Sequence, residues 1–127
     1  ALLCNYEVFQ LVRPDSPAHG ATGGDAAAVP SATRREPAAD FEDLRSVQYH
    51  LYHYFMAGQP CAVQTAEQVA AFMRESAAWA ITKAERLQLL NARPKNMVEL
   101  HTMIEECEER FTDEQRETML RVILTTL

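Results

Sequence analysis

A proline set between two helix-start signals constrains this chain more than any other feature. In the stretch ITKAERLQLLNARPKNMVELHTMIEECEERF, from Ile81 to Phe111, Thr82 stands three residues before Glu85 and Asn96 three residues before Glu99. Each pair is the pattern of a capping box: the first side chain accepts from a backbone N–H in the first turn, and the second reaches back. Pro94 lies between them, and the residue before a proline is pushed out of the α region. The pattern predicts two helices with a hard break at Arg93–Pro94. Ala84, Leu87 and Leu90 fall at helical spacing in the first. In the second, read as one helix to Phe111, the residues Met97, Leu100, Ile104, Cys107 and Phe111 recur at alternating steps of three and four. Such a stripe needs an apolar neighbour. Nothing in this stretch has the makeup of a catalytic centre.

The chain before it divides by composition. Residues 13–39 hold three of the 4 glycines and four of the 6 prolines, with almost no large apolar residue. A segment of that kind cannot offset its ordering entropy by burial, so it reads as a flexible linker. Residues 1–12, ALLCNYEVFQLV, form an N-terminal piece. Asn5 is placed to cap a short helix over residues 6–12, with Tyr6, Phe9 and Leu11 or Val12 as its apolar positions, and Arg13-Pro14 stops it. Leu2 and Leu3 precede that helix. An extended Leu2–Leu3 finds no strand partner later in the chain, because no stretch shows strand alternation. Two readings stay open: a frayed terminus, or an edge strand or apolar hook donated to another protein.

Residues 40–127 read as the main domain. Asp40 is the expected cap of a long helix that Gly58 ends, with Phe41, Leu44, Val47, Leu51 and Phe55 facing inward and Tyr49, Tyr52 and Tyr54 enriching its second half. Thr65 caps the next helix, with Val69, Phe72, Met73 and Ala77 inward and Trp79 plugging the junction with Ile81. Thr112 caps the last, where Asp113 and Glu114 suit the helix dipole and Met119, Leu120, Ile123, Leu124 and Leu127 form the apolar face. The expected fold class is all-α: a bundle of about five helices after a tethered N-terminal strand and helix.

Charge and cysteine usage exclude several function classes. The 127 residues carry a net charge of −6 at pH 7. It is spread evenly, with four basic and seven acidic groups in residues 1–65 and eight and eleven in residues 66–127. A chain that gains its affinity by neutralising phosphates should be basic, so nucleic acid is expected at most indirectly. The best candidates for such contact are Lys83, Arg86, Arg93 and Lys95. The 3 cysteines, Cys4, Cys61 and Cys107, are far apart with no CxxC spacing, which argues against a disulfide framework or a zinc site and fits a reducing, intracellular compartment. No apolar run approaches the length of a membrane span, and no signal peptide is visible. The chain begins at Ala1, as expected of an excised fragment.

Potential sites are sparse. His50 and His53 stand three apart on one helix and can face one metal, but His19 and His101 lie on other elements and no spacing recruits them, so no metal site is expected. No nucleophile is paired with a base and an orienting carboxylate, and the glycines fall in the linker rather than in a phosphate loop. No cofactor is expected. Glu105, Glu106, Glu108 and Glu109 flank Cys107 and read as a solvated outer face, with an acidic dock for a basic partner as the functional alternative.

Two separated blocks, LLCNYEVFQLV and then TKAERLQLLN, RPKNMVEL and IEECEERFT, resemble the RNA polymerase III ninth-subunit family, also known as the calcitonin gene-related peptide receptor component proteins. The resemblance covers residues 2–12 and 82–124 well. Residues 40–80 agree only in helical pattern, and 13–39 depart from the family. That family is similar to the fourth subunit of polymerase II and to its archaeal counterpart. The resemblance implies a bundle like the helicase-and-RNaseD C-terminal domain, preceded by a partner-pairing strand. It also implies a nuclear, non-catalytic polymerase III subunit that forms a stalk heterodimer with a larger β-rich subunit. The stalk meets the polymerase core and initiation factors and supports initiation of small RNAs such as tRNA and 5S rRNA. On that basis the partner-binding residues are expected to be Leu2, Leu3, Tyr6, Phe9 and Val12, with a second contact at Pro94, Met97 and Leu100. The alternatives are a helical nucleic-acid-binding module, or an accessory of a peptide-hormone receptor, for which no membrane attachment is visible.

Overall fold

A computed structural model describes residues 2–16 and 38–127. The linker reading falls mainly on residues 17–37, outside the described residues, as do His19 and the side chains of Asp40 and Phe41. Among the described residues there are seven α-helices: α1 Asn5–Val12, α2 Ala38–Met56, α3 Ala66–Glu75, α4 Lys83–Ala92, α5 Met97–Met103, α6 Cys107–Arg110 and α7 Asp113–Thr126. Short 3-10 turns lie at Pro60–Ala62 and Ser76–Ala78. No strand occurs among the described residues, which bears out the all-α expectation. The strand expected at Leu2–Leu3 is not formed in this chain.

The helix ends follow local chemistry. Thr65, Thr82 and Thr112 each accept the backbone N–H of the third helical residue, while Gln68, Glu85 and Gln115 reach back to close the box. Asn96 accepts from the Glu99 N–H at 2.9 Å, but Glu99 reaches one residue further back, to the Lys95 N–H at 2.7 Å. Arg93 ends α4 in the left-handed region (φ 47°, ψ 72°), so Pro94 follows an α break as the sequence predicts. Gly58 (φ 122°) turns the chain after α2, a conformation that a side chain rarely tolerates. Two boundaries differ from expectation. Cys4 rather than Asn5 is the N-cap of α1, its N–H held by Glu7 at 2.8 Å. The helix α2 begins at Ala38, two residues before Asp40.

The larger correction concerns the helix expected from Asn96 to Phe111. It is two helices with a bend between them. Ile104 is extended (φ −113°, ψ 121°) and Glu106 is left-handed (φ 50°, ψ 40°). The bend leaves backbone groups that need partners, and a distant carboxylate and guanidinium supply them. Glu85 accepts the Glu105 N–H at 3.2 Å, and Arg110 donates to the Glu105 carbonyl at 2.9 Å. The apolar face survives the bend: Leu100, Ile104, Cys107 and Phe111 are all buried and Met97 packs against them.

Packing produces one main core and one satellite. Phe72, Leu89, Leu90, Leu100, Ile104, Cys107, Phe111, Met119, Ile123 and Leu127 close the main core across α3 to α7, and Cys4 joins it. Each large side chain taken fully from water contributes roughly 1.5–3 kcal/mol. Trp79 packs edge-on to Phe72, ring centroids 6.0 Å apart. In the satellite, Phe9 and Val12 of α1 meet Phe55 of α2 and Cys61 of the first 3-10 turn. Phe9 stacks on Tyr52 and stands edge-on to Phe55, both at 5.9 Å.

Several stripes are rotated or shortened relative to the sequence pattern. In α4 the buried positions are Glu85, Leu89 and Leu90, while Ala84 is exposed. A carboxylate takes an inward place there because Arg110 is waiting for it. In α3 the face is Val69 and Phe72; Met73 and Ala77 are exposed, since the helix gives way to a 3-10 turn whose buried residue is Ser76. On α7, Leu124 turns outward. Among the described residues of α2, the inward face lies in the second half, where Leu51, Tyr52 and Phe55 pack with α1 and the 3-10 turn.

Candidate partner-binding surface

The helix α1 places its own residues in two classes. Phe9 and Val12 point onto α2 and are buried, so the N-terminal helix docks on its own chain rather than hanging free. Tyr6 is half-buried and touches both cores. Exposed on this N-terminal piece are Leu2 (84%) and Leu3 (52%), which precede α1, and Leu11 (49%) on the helix itself. In the turn after it, Arg13 is paired to Asp15 at 2.9 Å and lies over the Phe9 ring.

The apolar stripe of α2 is only partly covered. Leu44 and Val47 were expected inward and are 51% and 61% exposed. Leu51, one turn on, is half-buried, and Phe55 is fully inside. Among its described residues, the stripe is exposed at Leu44 and Val47 and covered toward its C-terminal end. Tyr49, Tyr54 and Met56 add further exposed apolar area on the same helix. A face of this kind, on elements that pack together, is the usual mark of an interaction surface. His50 and His53 are exposed beside it and pack against Tyr49, whose ring centroid is 4.2 Å from that of His53. Among the described residues no group of three or more His, Cys, Asp or Glu is placed to hold a metal ion.

The second expected contact, Pro94 to Leu100, is mostly interior. Pro94 and Leu100 are fully buried and Met97 packs against the main core. That segment shows solvent Lys95 and Val98 instead. Of the four basic candidates, Lys83 and Lys95 are exposed, but Arg86 is half-buried and donates to the Ser76 carbonyl at 3.0 Å, and Arg93 is the half-buried cap of α4. They do not make one open basic face. The four glutamates around Cys107 are all exposed and the thiol is inside, as the pattern predicts. Burial pushes all three thiols, Cys4, Cys61 and Cys107, above the ordinary range, which leaves them poor nucleophiles.

The sequence reading missed the polar centre of the bundle. Glu85 was legible only as a capping residue. It also receives Arg110 at 2.6 Å, and Arg110 donates in turn to the Ala80 carbonyl at 2.7 Å. Arg110 holds the Glu85 carboxyl down to about 2, against the opposing effect of burial and with help from the Thr82 and Glu105 N–H groups. The partners are 25 residues apart, so no local pattern announces them. Their role is to fasten the bend before α6 to the start of α4.

These features belong to a helical scaffold with exposed apolar residues on its N-terminal piece and on α2. The whole described chain falls within a match to the RNA polymerase Rpb4 family model, over residues 2–127. The chain belongs to that family. It is similar to the DNA-directed RNA polymerase III subunit RPC9 of Saccharomyces cerevisiae, 40% identical over 57 residues, which is 45% of this chain and 35% of the relative. It is also similar to the DNA-directed RNA polymerase III subunit rpc9 of Schizosaccharomyces pombe, 33% identical over 85 residues, or 67% of this chain and 66% of the relative. The matches span about a third and just under two thirds of those relatives' lengths.

Proposed function

We propose that this chain is a non-catalytic subunit of RNA polymerase III that forms a stalk heterodimer with a larger β-rich subunit. It acts in the nucleus, and the heterodimer supports initiation at small-RNA genes such as those for tRNA and 5S rRNA through the polymerase core and initiation factors. Membership of the Rpb4 family and the likeness to two yeast polymerase III subunits favour the polymerase assignment. The observation that carries the heterodimer is the exposed apolar area on the N-terminal piece and on α2: Leu2, Leu3 and Leu11 on the one, Leu44 and Val47 on the other. An obligate interface buries well over about 1,000 Å², for which exposed apolar side chains are the raw material. The contact set is therefore the outer side of α1 and the first half of α2, with Phe9 and Val12 acting from beneath as the support that holds α1 in place.

The test is co-purification of the full chain with the larger stalk subunit after Leu3→Asp and Val47→Asp together. Both residues are exposed, so the helical content and melting of the variant should match the parent while the complex is lost. Retention of the complex by this folded variant overturns the assignment of the surface. The receptor-accessory alternative has no support here: no described helix is long and apolar enough to cross a membrane.

A further inference from the structure

Two helix ends in this chain are capped by residues from the other side of the boundary between its two cores. The first-turn N–H groups of a helix and its last carbonyls have no partner within the helix. In α1, the Cys4 N–H is taken by Glu7, but the next donor, the Asn5 N–H, is taken by the Asn91 side-chain oxygen at 2.8 Å, 86 positions away. In α4, the Leu89 carbonyl accepts from Arg93, and the next acceptor, Leu90, receives the Gln64 side-chain amide at 3.2 Å. Gln64 is itself buried and follows the 3-10 turn of the satellite core. Both caps therefore meet on adjacent residues of one turn. Cys4 sits in the main core while Phe9 and Val12 sit in the satellite, and Tyr6 touches both.

We propose that the last turn of α4 is a latch that holds the α1–α2 unit on the bundle, and that this unit opens as one body when the latch is cut. The physical reason is that a buried backbone group left without its partner is costly, so each cap is satisfied only in the closed arrangement. Of the apolar residues of the N-terminal piece, Cys4 and Tyr6 reach the main core, whereas Phe9 and Val12 pack in the satellite. Cutting the caps should release the boundary before it releases either core. The latch then sets the direction in which the exposed edge of α2 points relative to α3–α7, whatever occupies that edge.

Hydrogen exchange on the full chain tests this with Asn91→Ala, Gln64→Ala and Asn91→Asp. Loss of one cap should speed exchange roughly five- to thirty-fold in α1 and in α2 from Leu51 to Met56, with α7 unchanged. Asn91→Asp keeps an oxygen acceptor for the Asn5 N–H and should exchange like the parent. If α7 accelerates in step with α1, or if neither alanine variant alters α2, the latch does not exist. Should Asn91→Ala fail to fold, Gln64→Ala decides by the same two criteria.

Discussion

The α1–α2 unit and the α3–α7 bundle are built from the same kinds of helices but solve different problems. The bundle closes its own core: Phe72, Leu89, Leu100 and Ile123 lose all contact with water, and a capping box starts α3, α4 and α7. Among the described residues the unit's own cluster is Phe9, Val12, Phe55 and Cys61, while Leu2, Leu3, Leu44 and Val47 stay outside. A helix propensity and an apolar stripe say that a face will be covered, not by what. Most of the bundle's apolar faces are covered from within the chain, with Met73, Val98 and Leu124 as exposed exceptions. Part of the unit's apolar face stays exposed, and under the proposed function that difference separates scaffold from contact surface.

The comparison is sharpest at two phenylalanines. Phe72→Ala removes a fully buried ring from the main core and should cost about 3–5 kcal/mol, seen as a large drop in the melting temperature of the whole chain. Phe9→Ala removes a ring from the satellite, and its loss should appear as faster exchange in α1 and α2 with α7 still protected. Equal loss of α7 protection in the two variants would mean that the chain has one cooperative core and no boundary between unit and bundle.

Next in size is the Glu85–Arg110 pair. Glu85→Ala strips the acceptor from Arg110 and from the Thr82 and Glu105 N–H groups, and should destabilise the bundle by roughly 2–4 kcal/mol in denaturant titration. The pair also sets a pH dependence. The folded carboxyl is depressed from its ordinary value near 4.5 to about 2. Its contribution is fully present above pH 4.5 and is lost as pH falls toward 2, because the unfolded chain takes up the proton first. Stability of the parent should decline across that window, and Glu85→Gln should decline less. A variant with the parent's slope would assign the acid sensitivity to other carboxylates.

The smallest effect on stability belongs to the exposed stripe. Leu44→Ser or Val47→Ser alone should change folding stability by no more than about 0.5 kcal/mol, since both side chains are more than half exposed already. A larger loss by thermal melting would show that the first half of α2 is covered within this chain, which would remove the contrast with the bundle.

The parts of the architecture readable without coordinates are those made by neighbours in sequence. Thr65, Thr82, Asn96 and Thr112 start helices through contacts three residues away, and Pro94 and Gly58 stop them through backbone sterics that need no other element. The resemblance of residues 2–12 and 82–124 rests on such local blocks as well. Burial on Leu100, Ile104, Cys107 and Phe111 was legible from spacing, but the bend at Ile104–Glu106 was not, because its cause is Glu85 twenty residues earlier.

Phase and partner were decided in three dimensions. Spacing alone cannot say that Glu85 and Leu89 face in while Ala84 faces out, that Phe9 lies under α1 while Leu3 lies beyond it, or that Leu44 and Val47 find no cover. Hydrophobic periodicity specifies the width of an apolar stripe; how much of it is removed from water depends on which other helix arrives, at what angle and over what length. The sequence by itself determined the all-α class of the described residues, the helix starts at Thr65, Thr82, Asn96 and Thr112, the stops at Pro94 and Gly58, and the family. Tertiary packing alone determined where the chain is left open, because burial is a property of the assembled surfaces and not of the residues that carry them.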